Sequence, residues 1–546
     1  MKKLLLLLIC IPVLTFSQSR KQKKAQAKAD KVTLANLKRH VQYLADDKLE
    51  GRRTGTAGEQ LAMEYIAFRF MDAGLKPAGT NYFIQEFEID EGLQIESNTS
   101  LSLDGKQLEV RKDFFPLAYS ARTAASGNPA IALRESGEPW FADVKEWLET
   151  NKNNPHFDIN AAIKAEAKTV ATKGATALLL FNSSSLVDNI QFNKNDKSEA
   201  VSIPVLYITA PAYKKYCEDH AASIAVKLEV ALAGKTRKGK NVVGYIDNGA
   251  ANTVILGAHY DHLGYGEDKN ALDATNDIHN GADDNASGTA ALIEIARILK
   301  KTKATNNNYL FIAFSGEELG LFGSKFWLDN PSITVTPNYM INMDMVGRYD
   351  TARKLTIGGY GTSPYWGQLF QTISNKSLMV KFDSSGSGPS DHASFYRKDI
   401  PVLFFFTGSH SDYHKASDDW DKINYDGQLQ IVNMIQRIVE NTNTAGKLAF
   451  TKTREAQAGR MTINVSLGVI PDYGYTGTGM RIEGASAGKL AEKLGLKAGD
   501  VLLQLGEHKF VDVSSYMMAL GKFKKGDKTV LTVKRGTETL TFNIEF

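Results

Sequence analysis

The sequence predicts an α/β protein built on a mixed, mostly parallel, doubly wound sheet with helices on both faces, and two smaller units joined to it. Apolar runs ending at His259, Phe314, Met343 and Phe406 alternate with helical patterns, the mark of parallel strands covered on both sides. The texture changes over residues 110–235 and again from 461, which sets off separate folding units. At ~100–200 residues per domain, the length of 546 residues suggests roughly three to five domains. Residues are 43% hydrophobic, 23% charged and 10% aromatic, a mix that builds packed cores and excludes wholesale disorder. With 65 basic and 61 acidic residues, the net charge of +4 gives no electrostatic reason to expect a nucleic-acid partner.

Residues 1–17 read as a signal peptide. Lys2 and Lys3 precede a 13-residue apolar run, Leu4 to Phe16, and then the small residue Ser17. That run is short for a membrane span, and no other stretch is long and apolar enough for one. The mature chain is therefore expected to be exported, periplasmic or extracellular, with no membrane span. Cys10 lies in the apolar run, so cleavage leaves only Cys217 and no intrachain disulfide. Cys217 reads as an inert buried thiol.

Residues 18–30 are polar and basic and read as a linker. Residues 33–47 carry a helical pattern in Leu34, Leu37, Val41 and Leu44. Gly51, Gly55 and Gly58 break the chain. A second helix is expected over 58–74, with Ala62, Tyr65, Ile66 and Phe70 on one face. Residues 31–109 are assigned to the N-terminal part of the main domain. The insert, 110–235, holds the apolar runs Ala177–Phe181 and Val205–Ile208 and an Ala-rich helix over 161–173. Residues 236–446 form the main domain, with helices expected over 288–301 and 427–441. A polar linker, 447–460, leads to a β-rich unit, 461–546.

The chemistry gathers where the strands of the main domain end, the place where open α/β sheets bind ligands. Gly257–His262, Gly281–Gly288, Ser315–Gly320, Asn342–Val346 and Ser411–Lys415 each offer His, Asp or Glu. Imidazoles with carboxylates and no cysteine suit a divalent ion such as zinc at a reactive rather than a structural site. Asp261, two residues from His259, is placed to fix that ring's tautomer. A carboxylate at Asp284, just before a helix, can bridge two ions. In Glu317-Glu318, one carboxylate can ligate while its neighbour handles the proton of an activated water.

In order and spacing, HYDH, GADDNASG, SGEELGLFGS, NMDMVG, SDHASF and DYHKASDD resemble the M28 family of co-catalytic zinc aminopeptidases. The motifs span 257–419, and the resemblance extends over about 240–445. Residues 33–90 resemble the segment that precedes such catalytic domains. The insert resembles a protease-associated domain in IPVLYIT and TKGATALLLFN, and the tail resembles a PDZ domain in VSLGV and GASAGKLAEKLGLKAGDVLLQLGE. The resemblance implies a zinc-exopeptidase-like fold and two zinc ions per chain, one held by His414, Glu318 and Asp284, the other by His259, Asp344 and the shared Asp284. Glu317 would be the general base and then the acid, and Asp261 would orient His259. Asn285 follows the bridging ligand, where the family has an unusual peptide geometry. Asp283 competes for the bridging role, but the offset of Asp284 from Gly288 fits the family better.

Some members place a carbonyl-polarising tyrosine before the SDH motif. Here that stretch, Ser384–Ser390, has none, and His392 is the candidate substitute. His262, His279 and His410 match no ligand position and read as rim or hydrogen-bonding residues. Leu467, Gly468 and Val469 would form the carboxylate-binding loop of the PDZ-like unit.

The expected function is a secreted exopeptidase, foremost an aminopeptidase, in which a water activated by two metals attacks the peptide carbonyl. Expected partners are peptide or protein substrates and a C-terminal peptide on the PDZ-like unit. The alternatives are a one-zinc glutaminyl cyclase on a related fold, or a non-catalytic peptide-binding protein on a peptidase-like scaffold.

Overall fold

The computed structural model describes residues 20–546 except 153, 155–156, 222, 269, 274, 352–353, 374–377, 454–464, 472–477, 486–487 and 511–512. The expected signal peptide and residues 454–460 of the expected linker lie outside the described residues. The chain divides into two compact units, Glu88–Arg237 and the residues on either side of it.

The main sheet takes nine strands from the larger unit and its borders: β1 (Lys76–Pro77), β2 (Ile84–Ile95), β3 (Leu232–Ile246), β4 (Thr253–His259), β5 (Asn308–Phe314), β6 (Pro337–Met343), β7 (Leu355–Gly358), β8 (Val380–Phe382) and β9 (Val402–Phe406). Their order is β1-β3-β5-β4-β6-β9-β7-β8, with β2 also paired to β3. The centre is parallel: β4 pairs with β5 and β6, and β6 with β9. The carboxyl ends of these four strands therefore share one edge of the sheet.

Alternate residues of each central strand feed different cores, because successive side chains point to opposite faces. Val242, Val254, Leu256, Phe311 and Ile341 join one core, while Val243, Ile255, Leu310, Ile312 and Met340 join another. The first core is covered by α1 (Arg20–Leu44), α2 (Ala57–Asp72), α3 (Gly288–Leu299), α5 (Pro364–Thr372) and α7 (Tyr425–Thr442). The second is covered by α4 (Phe322–Asp329) through Trp327 and by α6 (His392–Tyr396) through Phe395.

Three expected boundaries move. Residues 20–30, read as linker, are the first turns of α1. Lys, Arg, Gln and Ala are strong helix formers and carry the helix outward from the turns anchored by Leu37, Val41 and Leu44. Residues 88–109, assigned to the N-terminal part of the main domain, belong to the second unit, because Ser100–Leu103 pairs antiparallel with Val226–Glu229. Residues 447–453, read as linker, pack on the main domain. Leu448 is buried in its first core, and the Thr451 N–H donates to the Thr362 carbonyl.

The second unit contains two four-stranded sheets. One is antiparallel, and the other orders Phe114–Pro116, Val205–Ile208, Ala177–Phe181 and Pro139–Asp143 around Ile163, Ala167 and Val170 of the helix Ile159–Thr172. Cys217 is buried there, where burial pushes its thiol up to about 12. The C-terminal residues form a six-stranded sheet over a core that includes Leu467, Met480, Leu502, Leu531 and Ile544. No described helix is long and apolar enough to cross a membrane.

The chain between α1 and α2 turns sharply, with positive φ at Glu50 and Gly51. Thr56 caps α2 by accepting from the Glu59 N–H, and the Glu59 carboxylate accepts from the Gly55 N–H, a capping-box exchange. An ideal Cβ on Gly58 would lie 1.8 Å from the Leu49 carbonyl oxygen, so only glycine permits this approach. Gly58→Ala should destabilise the unit by roughly 1–3 kcal/mol, read as a lower denaturation midpoint.

Candidate metal centre

β4 delivers His259 as its last residue, and β6 delivers Asp344 one residue beyond its end. β5 ends at Phe314, and Gly316, at φ +69, turns the chain so that Glu317 and Glu318 follow at the same edge. His414 comes from the loop after β9, and Asp284 from the turn leading into α3.

These side chains converge. His259 Nε2 lies 3.2 Å from Asp284 Oδ1 and 3.4 Å from Asp344 Oδ1. His414 Nε2 lies 3.2 Å from Asp284 Oδ2 and 3.3 Å from Glu318 Oε2. Asp284 thus faces a different imidazole with each oxygen. Among the described residues, two three-residue groups hold donor atoms within 4.8 Å of one another: His259–Asp284–Asp344 and His262–Asp284–Glu318. Of the two expected roles, rim or hydrogen-bonding, His262 takes the second. It is buried, its Nδ1 lies 2.8 Å from Glu318 Oε1, and its Nε2 has no partner. The sequence signal available was its place three residues after His259, in HYDH.

Adjacent aspartates have different surroundings. Asp283 accepts from the Gly347 N–H and the Ser287 hydroxyl and lies 3.1 Å from His410 Nε2. Its oxygens are occupied within the fold. Asp284 keeps its carboxylate toward the histidines while its N–H, like that of Asp283, donates to Asp418 Oδ2. The Asp284–Asn285 peptide bond is cis. Asn285 donates to the Met343 carbonyl and accepts from the N–H groups of Gly288 and Met345, which ties the turn to the end of β6. His279 pairs with Asp273 at 2.8 Å.

Asp261 acts differently from expectation. The Nδ1–H of His259 donates to the Asp261 backbone carbonyl at 3.2 Å, while the nearest carboxylate oxygen is 3.7 Å away. The carboxylate instead accepts from the Glu317 N–H at 3.1 Å and the Thr54 hydroxyl at 2.9 Å. His414 is held by the loop after β4: its Nδ1–H donates to the Asn270 carbonyl, and its carbonyl accepts from the Leu272 N–H.

His392 packs on Phe404 instead, with ring centroids 4.3 Å apart. Its ring is buried, its Nδ1 has no partner, and burial lowers its pKa to about 3. In the C-terminal unit, Leu467 is buried, the Gly468 N–H donates to the Ser466 hydroxyl, and Val469 pairs with Ala485.

Sequence reasoning also missed Arg52. It is buried, and its guanidinium donates to the carbonyls of Leu44, Tyr260, Asn280 and Gly281. It therefore joins the His259–His262 segment to the Asp284 turn. Burial lowers its pKa to about 10, against the pull of Asp284, Asp261, Asp418 and Glu318.

The electrostatics favour positive charge among these carboxylates. Burial disfavours charge on His259, but Glu317, Asp344, Asp261 and Asp284 hold its pKa well above the usual value. Burial likewise opposes charge on His414, and Glu318 and Asp284 overcome it. Glu318 falls to about 2 and Asp284 well below the carboxylate range, despite burial, because of these imidazoles. Burial, with Asp344, Asp391 and Glu318, pushes Glu317 well up. Imidazole nitrogens and carboxylate oxygens without thiolates fit a divalent ion of the zinc type.

Fold and donor set define a candidate divalent-metal centre on a doubly covered α/β sheet. Residues 241–439 match the profile of Peptidase family M28 and residues 486–546 that of the PDZ domain, so the chain carries an M28 peptidase domain and a C-terminal PDZ domain. The loop Leu467–Val469 lies outside the PDZ match. The chain is 24% identical over 404 residues to aminopeptidase YwaD of Bacillus subtilis, covering 71% of this chain and 80% of that protein. It is 28% identical over 213 residues to a probable leucine aminopeptidase of Trichophyton verrucosum, covering 36% of this chain and only 54% of that relative. It is also similar to the solved aminopeptidase from Aneurinibacillus sp. strain AM-1, at 21% identity and a TM-score of 0.42 over 77% of this chain and 95% of that one.

Uptake of a cation at His259 and His414 should release protons, because an imidazole is neutral when it ligates. Since both pKa values are raised in the metal-free protein, affinity should rise with pH until both rings are neutral. Calorimetric titration with zinc in buffers of different ionisation enthalpy should show about two protons released near neutrality.

Proposed function

We propose that this chain is an exported zinc-dependent exopeptidase, specifically an aminopeptidase, that holds two zinc ions. The observation that carries the reading is Asp284, whose two oxygens face His259 and His414 beside Asp344 and Glu318. His259, Asp344 and Asp284 would hold one ion. His414, Glu318 and Asp284 would hold the other, since His414 Nε2 faces both carboxylates; His262 would fix Glu318 through its Nδ1. When bound, such ions supply Lewis acidity toward a carbonyl oxygen and acidify water.

Glu317 is the proton carrier. It neighbours the ligand Glu318 but has a raised pKa, the environment a group needs to take a proton from attacking water and pass it to the leaving amine. Asp261 holds its backbone, and Asn285 and Asp418 hold the turn that carries Asp284. The names of the curated relatives support action at the amino end of peptides. Lys2, Lys3 and the run Leu4–Phe16 support export. The second unit serves as a protease-associated-like insert, and the PDZ domain binds peptide termini, with Leu467–Val469 as its carboxylate loop.

Glu317→Gln should leave zinc content near wild type and lower turnover by roughly 10²–10⁴. Zinc quantified beside kcat checks this, and full activity in the variant would remove Glu317 as base. Aminoacyl substrates with a free amine should be cleaved and N-blocked peptides spared. Cyclisation of an N-terminal Gln peptide with one zinc per chain would instead favour the cyclase.

A further inference from the structure

The segment Gly51–Glu59 lies nearly 200 residues from the M28 match yet reaches its centre at several points. Arg52 binds the carbonyls of Tyr260, Asn280 and Gly281. Arg53 makes a two-pronged bond to Asp268 at 2.8 and 2.9 Å. The Glu59 carboxylate meets the Ser315 hydroxyl. Thr54, buried with 2% exposure, donates its hydroxyl to Asp261 Oδ2 at 2.9 Å.

Asp261 passes that contact on, because its other oxygen accepts the Glu317 N–H at 3.1 Å. The acidic side chain is fully buried, and the job of orienting His259 falls to its backbone carbonyl. The Glu317 carbonyl accepts from the Gly320 and Leu321 N–H groups within its own turn, and its N–H is tied to another segment through Asp261. Glu317 follows Gly316, at φ +69, and glycine has the widest backbone freedom of any residue.

We propose that Thr54 is a positioning residue for Glu317, acting through the Asp261 carboxylate. This rests on the reading of Glu317 as the general base. A carboxylate held by one donor can turn about its broad terminal torsion. With Thr54 on Oδ2, the plane of the group is set, and Oδ1 stays where the Glu317 N–H meets it. Loss of the hydroxyl loosens residue 317, while His259 keeps its bond to the Asp261 backbone carbonyl. Small misplacement of a reacting group is enough to slow a reaction strongly.

The test is Thr54→Val, which keeps the shape and removes the hydroxyl. On an aminoacyl substrate, kcat should fall roughly ten- to hundred-fold, while KM, zinc content and thermal midpoint stay near wild type. Thr54→Ser should restore kcat. In a Glu317→Gln background, Thr54→Val should add no further loss, because the two residues act in one chain of contacts. Thr54→Ala gives the same readout if valine is not accommodated. The inference is overturned by wild-type kcat in Thr54→Val, by loss of zinc in step with activity, by failure of serine to rescue, or by additive losses in the double variant. If Glu317→Gln itself keeps full turnover, the base assignment falls; if that variant is inactive and Thr54→Val is neutral, only the role of Thr54 falls.

Discussion

Buried carboxylates repel one another, and burial alone would protonate them. Around Asp284 that outcome is avoided, because each of its oxygens faces an imidazole, His259 on one side and His414 on the other. Those imidazoles in turn face Asp344 and Glu318. Positive charge between the members of the cluster offsets the repulsion of its carboxylates. This offset accounts for the depressed pKa of Asp284 and Glu318 and the raised pKa of the two histidines. It also separates the neighbours Glu317 and Glu318: the second is paired with His414 and His262, while the first meets mostly burial and other acids.

Such a cluster needs a scaffold that does not yield to its repulsions, and backbone contacts supply it. Asp418 grips the N–H groups of residues 283 and 284. Asn285 ties the same turn to residues 343 and 345. Arg52 places a guanidinium among four carbonyls between the two segments that carry His259 and Asp284. A buried cation with only carbonyl partners costs desolvation that no paired carboxylate offsets. Its position makes sense only because the excess negative charge of the centre lies close by.

Much of this was legible in the sequence, for a physical reason. Parallel strands buried on both faces read as apolar runs, so the ends of β4, β5, β6 and β9 could be placed to within a residue or two, and with them His259, Glu317, Glu318 and Asp344. The parts that escaped depend on contacts between distant segments. His262 looked spare because only the fold carries it to Glu318. Arg52 and Thr54 sit in a glycine-broken turn with no catalytic pattern. The assignment of 88–109 failed because antiparallel pairing of Ser100–Leu103 with Val226–Glu229 leaves no local trace. Residues 20–30 were misread in the opposite way: their helix rests on propensity, and the search was for apolar periodicity.

The pair Asp283-Asp284 shows how far residue type underdetermines role. The two side chains are chemically identical and adjacent, and both are buried. Asp283 is surrounded by donors from the Gly347 backbone, Ser287 and His410, so its lone pairs are already used. Asp284 is offered only imidazoles that carboxylates across the cleft also claim. The difference arises in the backbone of the turn, which Asp418 and Asn285 hold in place. A carboxylate becomes available to a cation when the fold withholds other donors from it, and that is a property of its neighbours.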